Sequence, residues 1–178
     1  MGYQGIPRIY PNLNPAAAIP VDREQVFHLH SFADNYRMNR GREHGQYVPN
    51  SRFVFVTMMN GEMLLHPRFR HPALSEGKPV LYAGEASFNN GKLDWWSNGS
   101  GNYRPDAAHA AQAGMPMEDF YPYEEILKGT YKQAKLSGIR SVRSEGLATT
   151  AQARMVNGPK FTTGIWSQRA GAGISFRF

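Results

Sequence analysis

Six polar side chains fall within eight residues near the middle of the chain: Ser97, Asn98, Ser100, Asn102, Tyr103 and Arg104. Gly99 and Gly101 separate them. A guanidinium such as that of Arg104 is suited to phosphate oxygens. A phenol such as Tyr103 offers an aromatic face with a polar tip. Backbone N–H groups around two closely spaced glycines can form an anion-binding nest. This is more hydrogen-bonding capacity than a connector uses, so the stretch reads as a site. The alternative is a structural turn with Tyr103 packed in the core, and the residue types alone leave both open.

One chemistry that would use such groups is ADP-ribosyl transfer. It needs a basic side chain for the phosphates of NAD, an aromatic against nicotinamide, a hydroxyl to brace the site, and a carboxylate for the oxocarbenium-like ribose. Arg37, Tyr103, Ser87 or Ser100, and Glu145 can fill those roles. The expected catalytic set is Glu145, Ser100 and Tyr103, with Arg37, Arg104 and His71 as NAD-binding residues. The assignment is built from roles, since Ser-Thr-Ser and Glu-x-Glu signatures are absent. His28 and His30 lie two apart on one strand face and could share a metal. No third ligand has recognisable spacing, so hydrogen-bonding histidines are the better reading and no metal site is expected. Neither a GxSxG elbow nor a Walker-type phosphate loop occurs.

The elements that must position these groups are set by turns. Asn-Gly occurs at 60–61, 90–91, 98–99 and 157–158, and this pair tolerates the positive φ angles of a two-residue type I′ hairpin. Residues 52–58 and 62–66 flank the first pair, and 80–88 and 92–96 the second. Both flanks are rich in strand formers, so two hairpins, joined as one antiparallel meander, are expected. Gly84, inside its strand, marks a bulge or a close backbone approach. Asp22–Ala33 reads either as a helix capped by Asp22 or as a strand through Val26–Phe32, the alternation at its end favouring the strand, whereas 34–50 reads as irregular. Asp106 can cap a short Ala-rich helix that stops at Gly114. Phe120, Tyr123, Leu127, Tyr131 and Ala134 recur at helical spacing and predict a helix over 119–136, weakened by Gly129. Lys160–Gln168 and Gly173–Phe178 read as two further strands, the last closing a sheet. Pro7, Pro11, Pro15 and Pro20 make residues 1–20 an extended arm or linker remnant.

The block from His71 to Pro105 resembles a known family. His71, Leu74, Gly77, Val80, Ala83 and Gly84, then Gly91 and Leu93, then Ser100, Gly101, Tyr103 and Pro105 follow the pattern HxxLxxGxPVxxAGE…NGxL…SGxYxP. That pattern is similar to the core of plant IQ-motif calmodulin-binding proteins and to C-terminal regions of secreted bacterial polymorphic toxins. The resemblance spans about a third of the chain. The chain departs from it at His71-Pro72-Ala73, where the family has His-Ser-Ser, and at Asn102, where it has His. It contains no IQ-type helix. The resemblance implies a delivered effector domain on one side and a protein-binding module on the other.

Composition bounds the reading. The 178 residues, 41% of them hydrophobic, suffice for a domain with a real core. Without cysteine, disulfides, thiolate zinc sites and a cysteine nucleophile are excluded. No apolar run is long enough for a transmembrane helix and no signal peptide opens the chain. Charge is uneven: residues 1–127 hold 11 Lys or Arg against 13 Asp or Glu, whereas 128–178 hold nine against Glu145 alone. That basic segment suits an anionic partner such as nucleic acid, a dinucleotide pyrophosphate or an acidic immunity protein, or else is a solvated face. The expectation is a single α+β domain over 21–178, mainly antiparallel sheet with two or three helices. Its function is expected to be that of a secreted effector or toxin delivered as part of a larger protein, an NAD-dependent ADP-ribosyltransferase acting on a macromolecular target. A non-enzymatic binding module and a nuclease using His28 or His30 are the competing readings.

Overall fold

Alternation of large apolar side chains builds the sheet. In the computed structural model, which describes residues 5–131, six antiparallel strands form in the order β2-β1-β4-β3-β5-β6. They are β1 (Phe27–Phe32), β2 (Asn35–Arg40), β3 (Arg52–Thr57), β4 (Met63–His66), β5 (Tyr82–Asn89) and β6 (Lys92–Ser97). The chain divides after Lys128 into two units, and the description below concerns the first. The fold class is α+β with a curled antiparallel sheet, as the turn pattern implies.

Register places Phe27, Phe53, Phe55, Tyr82, Ala86 and Trp96 on one face, where all are buried. Edge-to-face ring contacts join Phe55 to Trp96 and Tyr82 to Trp96, a geometry favoured by the ring quadrupoles. The segment Ala107–Ala113 covers this face. It is 3-10 helical, capped by Asp106 accepting from the His109 N–H and ended by Gly114 at φ 78°. Thr57 Oγ1 and Trp96 Nε1 donate to the carbonyls of Ala113 and Pro116 at 2.9 and 2.6 Å, pinning the covering segment to the sheet. The opposite face carries Val56, Leu64, Ala83 and Glu85 and receives α1 (His71–Leu74), all four residues of which are buried.

Several elements differ from the sequence expectation. The two hairpins form, yet β3 pairs with β5, and β4 lies on the other side of β3. The sheet is therefore not a simple meander: α1 carries the chain across one face between the hairpins. Residues 35–40 are a regular strand, hidden because the β1–β2 turn places Ala33 at φ 51°, where glycine is usual. The helix expected over 119–136 is shorter within the described residues. Met117–Asp119 is a 3-10 turn, Phe120 bridges Trp96, and the α2 helix runs Tyr123–Lys128. Pro122 disfavours the helical region for Tyr121, so the helix begins after it. Gly129, at φ 72°, interrupts it.

Residues 8–18 are bound into the fold rather than trailing from it. Tyr10 exchanges backbone hydrogen bonds with Val80 at 2.9 and 3.0 Å. The buried Gln112 amide accepts from the Arg8 N–H and donates to the Arg8 and Leu81 carbonyls, acting as a short stretch of strand. The sheet curls far enough that the Tyr36 N–H on edge strand β2 donates to the Gly91 carbonyl in the β5–β6 turn at 2.7 Å. The expected strands 160–168 and 173–178, and the basic segment from residue 132 onward, lie outside the described residues.

Candidate functional site

Gly84 is required by the tightest backbone approach in the sheet. A Cβ there would lie 1.8 Å from the Ser97 carbonyl oxygen, so the start of β5 and the end of β6 come together only without a side chain. This approach draws the loop 98–105 over the start of β5, next to α1. Asn98 then organises the loop: its Nδ2 donates to the Pro105 carbonyl and its Oδ1 accepts from the Tyr123 N–H, both at 2.9 Å. Tyr123 stands so close to Gly99 that a Cβ on that glycine would lie 2.5 Å from the ring. Arg104, at φ 46°, turns its Nε–H onto the Gly101 carbonyl at 3.2 Å.

The result is a cavity of about 610 Å³ whose wall includes His71, Glu85, Ser100, Arg104, Asp106, Tyr123 and Glu124. This volume lies in the range of small-molecule and cofactor sites. Three of the expected site residues, His71, Ser100 and Arg104, meet there. Arg37 and Tyr103 are not brought to the cavity. Arg37 sits on β2, with its guanidinium over the Phe32 ring and bonded to the Tyr36 carbonyl. Tyr103 is 2% exposed. Its hydroxyl donates to the Lys78 carbonyl at 2.8 Å and lies 2.6 Å from Ser75 Oγ. Tyr103 thus ties the loop to the segment between α1 and β5 from beneath. Glu145 lies outside the described residues.

The electrostatics are mostly internally matched. Glu85 pairs with Arg52, itself stacked over Trp95. Asp106 pairs with Arg8 at 2.7 Å and with His109 Nδ1 at 2.6 Å. Desolvation would raise the Asp106 carboxyl, but hydrogen bonds led by that from His109 outweigh it and hold the group below its ordinary range. Glu124 and Arg104 are both exposed and of opposite sign. His71 is buried, and desolvation pushes its imidazole down to about 4, against the opposing hydrogen bond to the Gly84 carbonyl at 2.9 Å. It is therefore neutral at physiological pH, with Nε2 carrying the proton for Gly84.

Glu85, Tyr123 and Glu124 join the site without having been singled out from sequence. Glu85 had a signal, being a charged side chain that interrupts an apolar strand. His28 and His30 have separate partners, Glu62 and Asn39, each at 2.5 Å. Among the described residues no group of three or more His, Cys, Asp or Glu is arranged to hold a metal ion, and no helix is long and apolar enough to cross a membrane. No family model, curated protein or solved structure matches the chain.

Proposed function

We propose that the cavity bounded by His71, Ser100 and Arg104 is the active site of a delivered effector domain that transfers ADP-ribose from NAD to a macromolecular target. The observation that carries this reading is the meeting of all four required side-chain roles in one cavity. Arg104 supplies a cation for the pyrophosphate, Tyr123 an aromatic face, Ser100 a hydroxyl, and Glu85 or Glu124 a carboxylate for the ribosyl cation that develops as the bond to nicotinamide breaks. Tyr123 replaces Tyr103 in the aromatic role, and Glu85 or Glu124 takes the role first given to Glu145. The resemblance of the 71–105 block to C-terminal regions of polymorphic toxins supports delivery as part of a larger secreted protein. The test is incubation of the full chain with labelled NAD and a cell lysate. Transfer of label to macromolecules, with release of nicotinamide, is expected. Absence of both sinks the reading.

A non-enzymatic binding module is the second reading. What favours it is that two of the three carboxylates in the cavity wall are already engaged, Glu85 by Arg52 and Asp106 by Arg8 and His109. The double variant Glu85→Gln/Glu124→Gln, which removes both candidate carboxylates, separates the two readings. Under catalysis it lowers label transfer at least 100-fold, the scale of losing one transition-state contact. Under simple binding, capture of a lysate partner survives the change.

A further inference from the structure

We infer that His28, Met58 and Met59 form a binding site for a soft monovalent metal ion of the Cu(I) and Ag(I) class. All three line a second cavity, of about 350 Å³, which shares no lining residue with the one walled by His71. Strand register brings the donors together. His28 on β1 pairs with Leu64 on β4, and Leu64 with Val56 on β3. Side chains two apart on a strand share a face, so Met58 continues the row that holds Val56, Leu64 and His28. The Met58 N–H donates to the Glu62 carbonyl at 2.8 Å and its carbonyl accepts from the Gly61 N–H at 2.9 Å. Met59, 47% exposed, lies in the turn that these bonds close.

The class of ion follows from which side-chain lone pairs remain. Glu62 holds His28 Nδ1 at 2.5 Å, and Glu76 holds Lys78 at 2.9 Å. The Asn60 side-chain oxygen accepts from the Glu62 N–H at 3.0 Å. Arg23 is turned onto the Ala73 and Leu74 carbonyls, both at 2.9 Å. The hard oxygen donors in the wall are therefore engaged, and a cation such as Mg(II) or Ca(II), which requires them, gains little. What remains is two thioethers and one imidazole nitrogen, a donor set that selects Cu(I). The Glu62–His28 pair is the arrangement that metal-ligating histidines use: the carboxylate takes the Nδ1–H and directs the Nε2 lone pair at the ion. Leu64 supplies an apolar floor. None of these observations depends on the NAD reading.

The test titrates the full chain, carrying 13C-methyl methionine and 15N-histidine, with Ag(I), a redox-stable ion of this class. The Met58 and Met59 methyl signals and His28 Nε2 should shift together and saturate with a single ion bound, while Zn(II) at the same concentration moves neither methyl. Glu62→Gln keeps all three ligands but releases the imidazole, and should lower Ag(I) affinity about 10–100-fold. Met58→Leu/Met59→Leu removes two ligands and should cost more than that. Leucine nearly conserves the volume of methionine, so this double variant should keep the wild-type fold. Saturation with both methyl signals unmoved overturns the inference. So does unchanged Ag(I) affinity in the double variant, or Zn(II) binding at these three side chains as tightly as Ag(I).

Discussion

Replacing Tyr103 by phenylalanine separates a structural role from a chemical one with the smallest available change. The ring keeps its place among buried residues, and only the hydroxyl is lost. Two hydrogen bonds go with it, to the Lys78 carbonyl at 2.8 Å and to Ser75 Oγ at 2.6 Å. The Ser75 hydroxyl can fall back on the His71 and Pro72 carbonyls at 3.3 and 3.4 Å. The Lys78 carbonyl is left with no replacement from the phenol. One orphaned acceptor and one weakened partner cost about 1–2 kcal/mol. Removing the whole ring in Tyr103→Ala costs about 3–5 kcal/mol. Urea unfolding followed by tryptophan fluorescence measures both, because Trp95 and Trp96 are buried in the same unit. Pairing Tyr103→Phe with Ser75→Ala in a double-mutant cycle should show coupling of about 1 kcal/mol. If Tyr103→Phe unfolds with wild-type stability yet abolishes NAD turnover, the hydroxyl belongs to the chemistry and the structural assignment fails.

Other substitutions probe the frame of the site. Gly84→Ala forces a Cβ into the Ser97 carbonyl and should destabilise by at least about 3 kcal/mol in the same urea assay; near-wild-type stability would show that β5 and β6 are not held this close. Gly99→Ala pushes the Tyr123 ring aside and should weaken ADP-ribose binding, measured by calorimetry, more than it lowers stability. Thr57→Val removes the bond to the Ala113 carbonyl and should cost about 1 kcal/mol, with hydrogen exchange rising first over residues 107–113. Stability should also fall with acidification. At pH 7 the His71 imidazole is neutral in both states. Below about 6.5 only the unfolded chain takes up the proton, until the folded group titrates at about 4. That difference amounts to about 3 kcal/mol lost across the window, and unfolding midpoints that stay level from pH 7 to 4.5 would refute it.

What could be read from the sequence followed the local signals. Asn-Gly at 60–61 and 90–91 encodes two hairpins because those residues accept the backbone angles a tight turn imposes. The β1–β2 hairpin carries no such mark, since Ala33 adopts φ 51° only because the paired strands on either side demand it. Neighbourhood of β3 with β5 is equally unmarked: it depends on where α1 takes the chain, a matter of packing rather than of turn chemistry. The same division runs through the site. His71, Ser100 and Arg104 lie in one contiguous block, and the β5–β6 hairpin necessarily returns the end of that block towards its beginning. Their meeting was therefore within reach of a one-dimensional reading. Whether Tyr103 faced the cavity or the core was not, because its spacing permits both and only the position of the Lys78 carbonyl decides it. Tyr123 and Glu124 arrive through a later return of the chain, held by the Tyr121 N–H on the Trp96 carbonyl and the Tyr123 N–H on Asn98. The aromatic wall of the cavity is thus a consequence of how β6 is covered at its outer edge. It follows that Asn98→Ala, which frees both the Tyr123 N–H and the Pro105 carbonyl, should loosen that wall and the loop beside it and cost the site affinity while the sheet beneath stays folded.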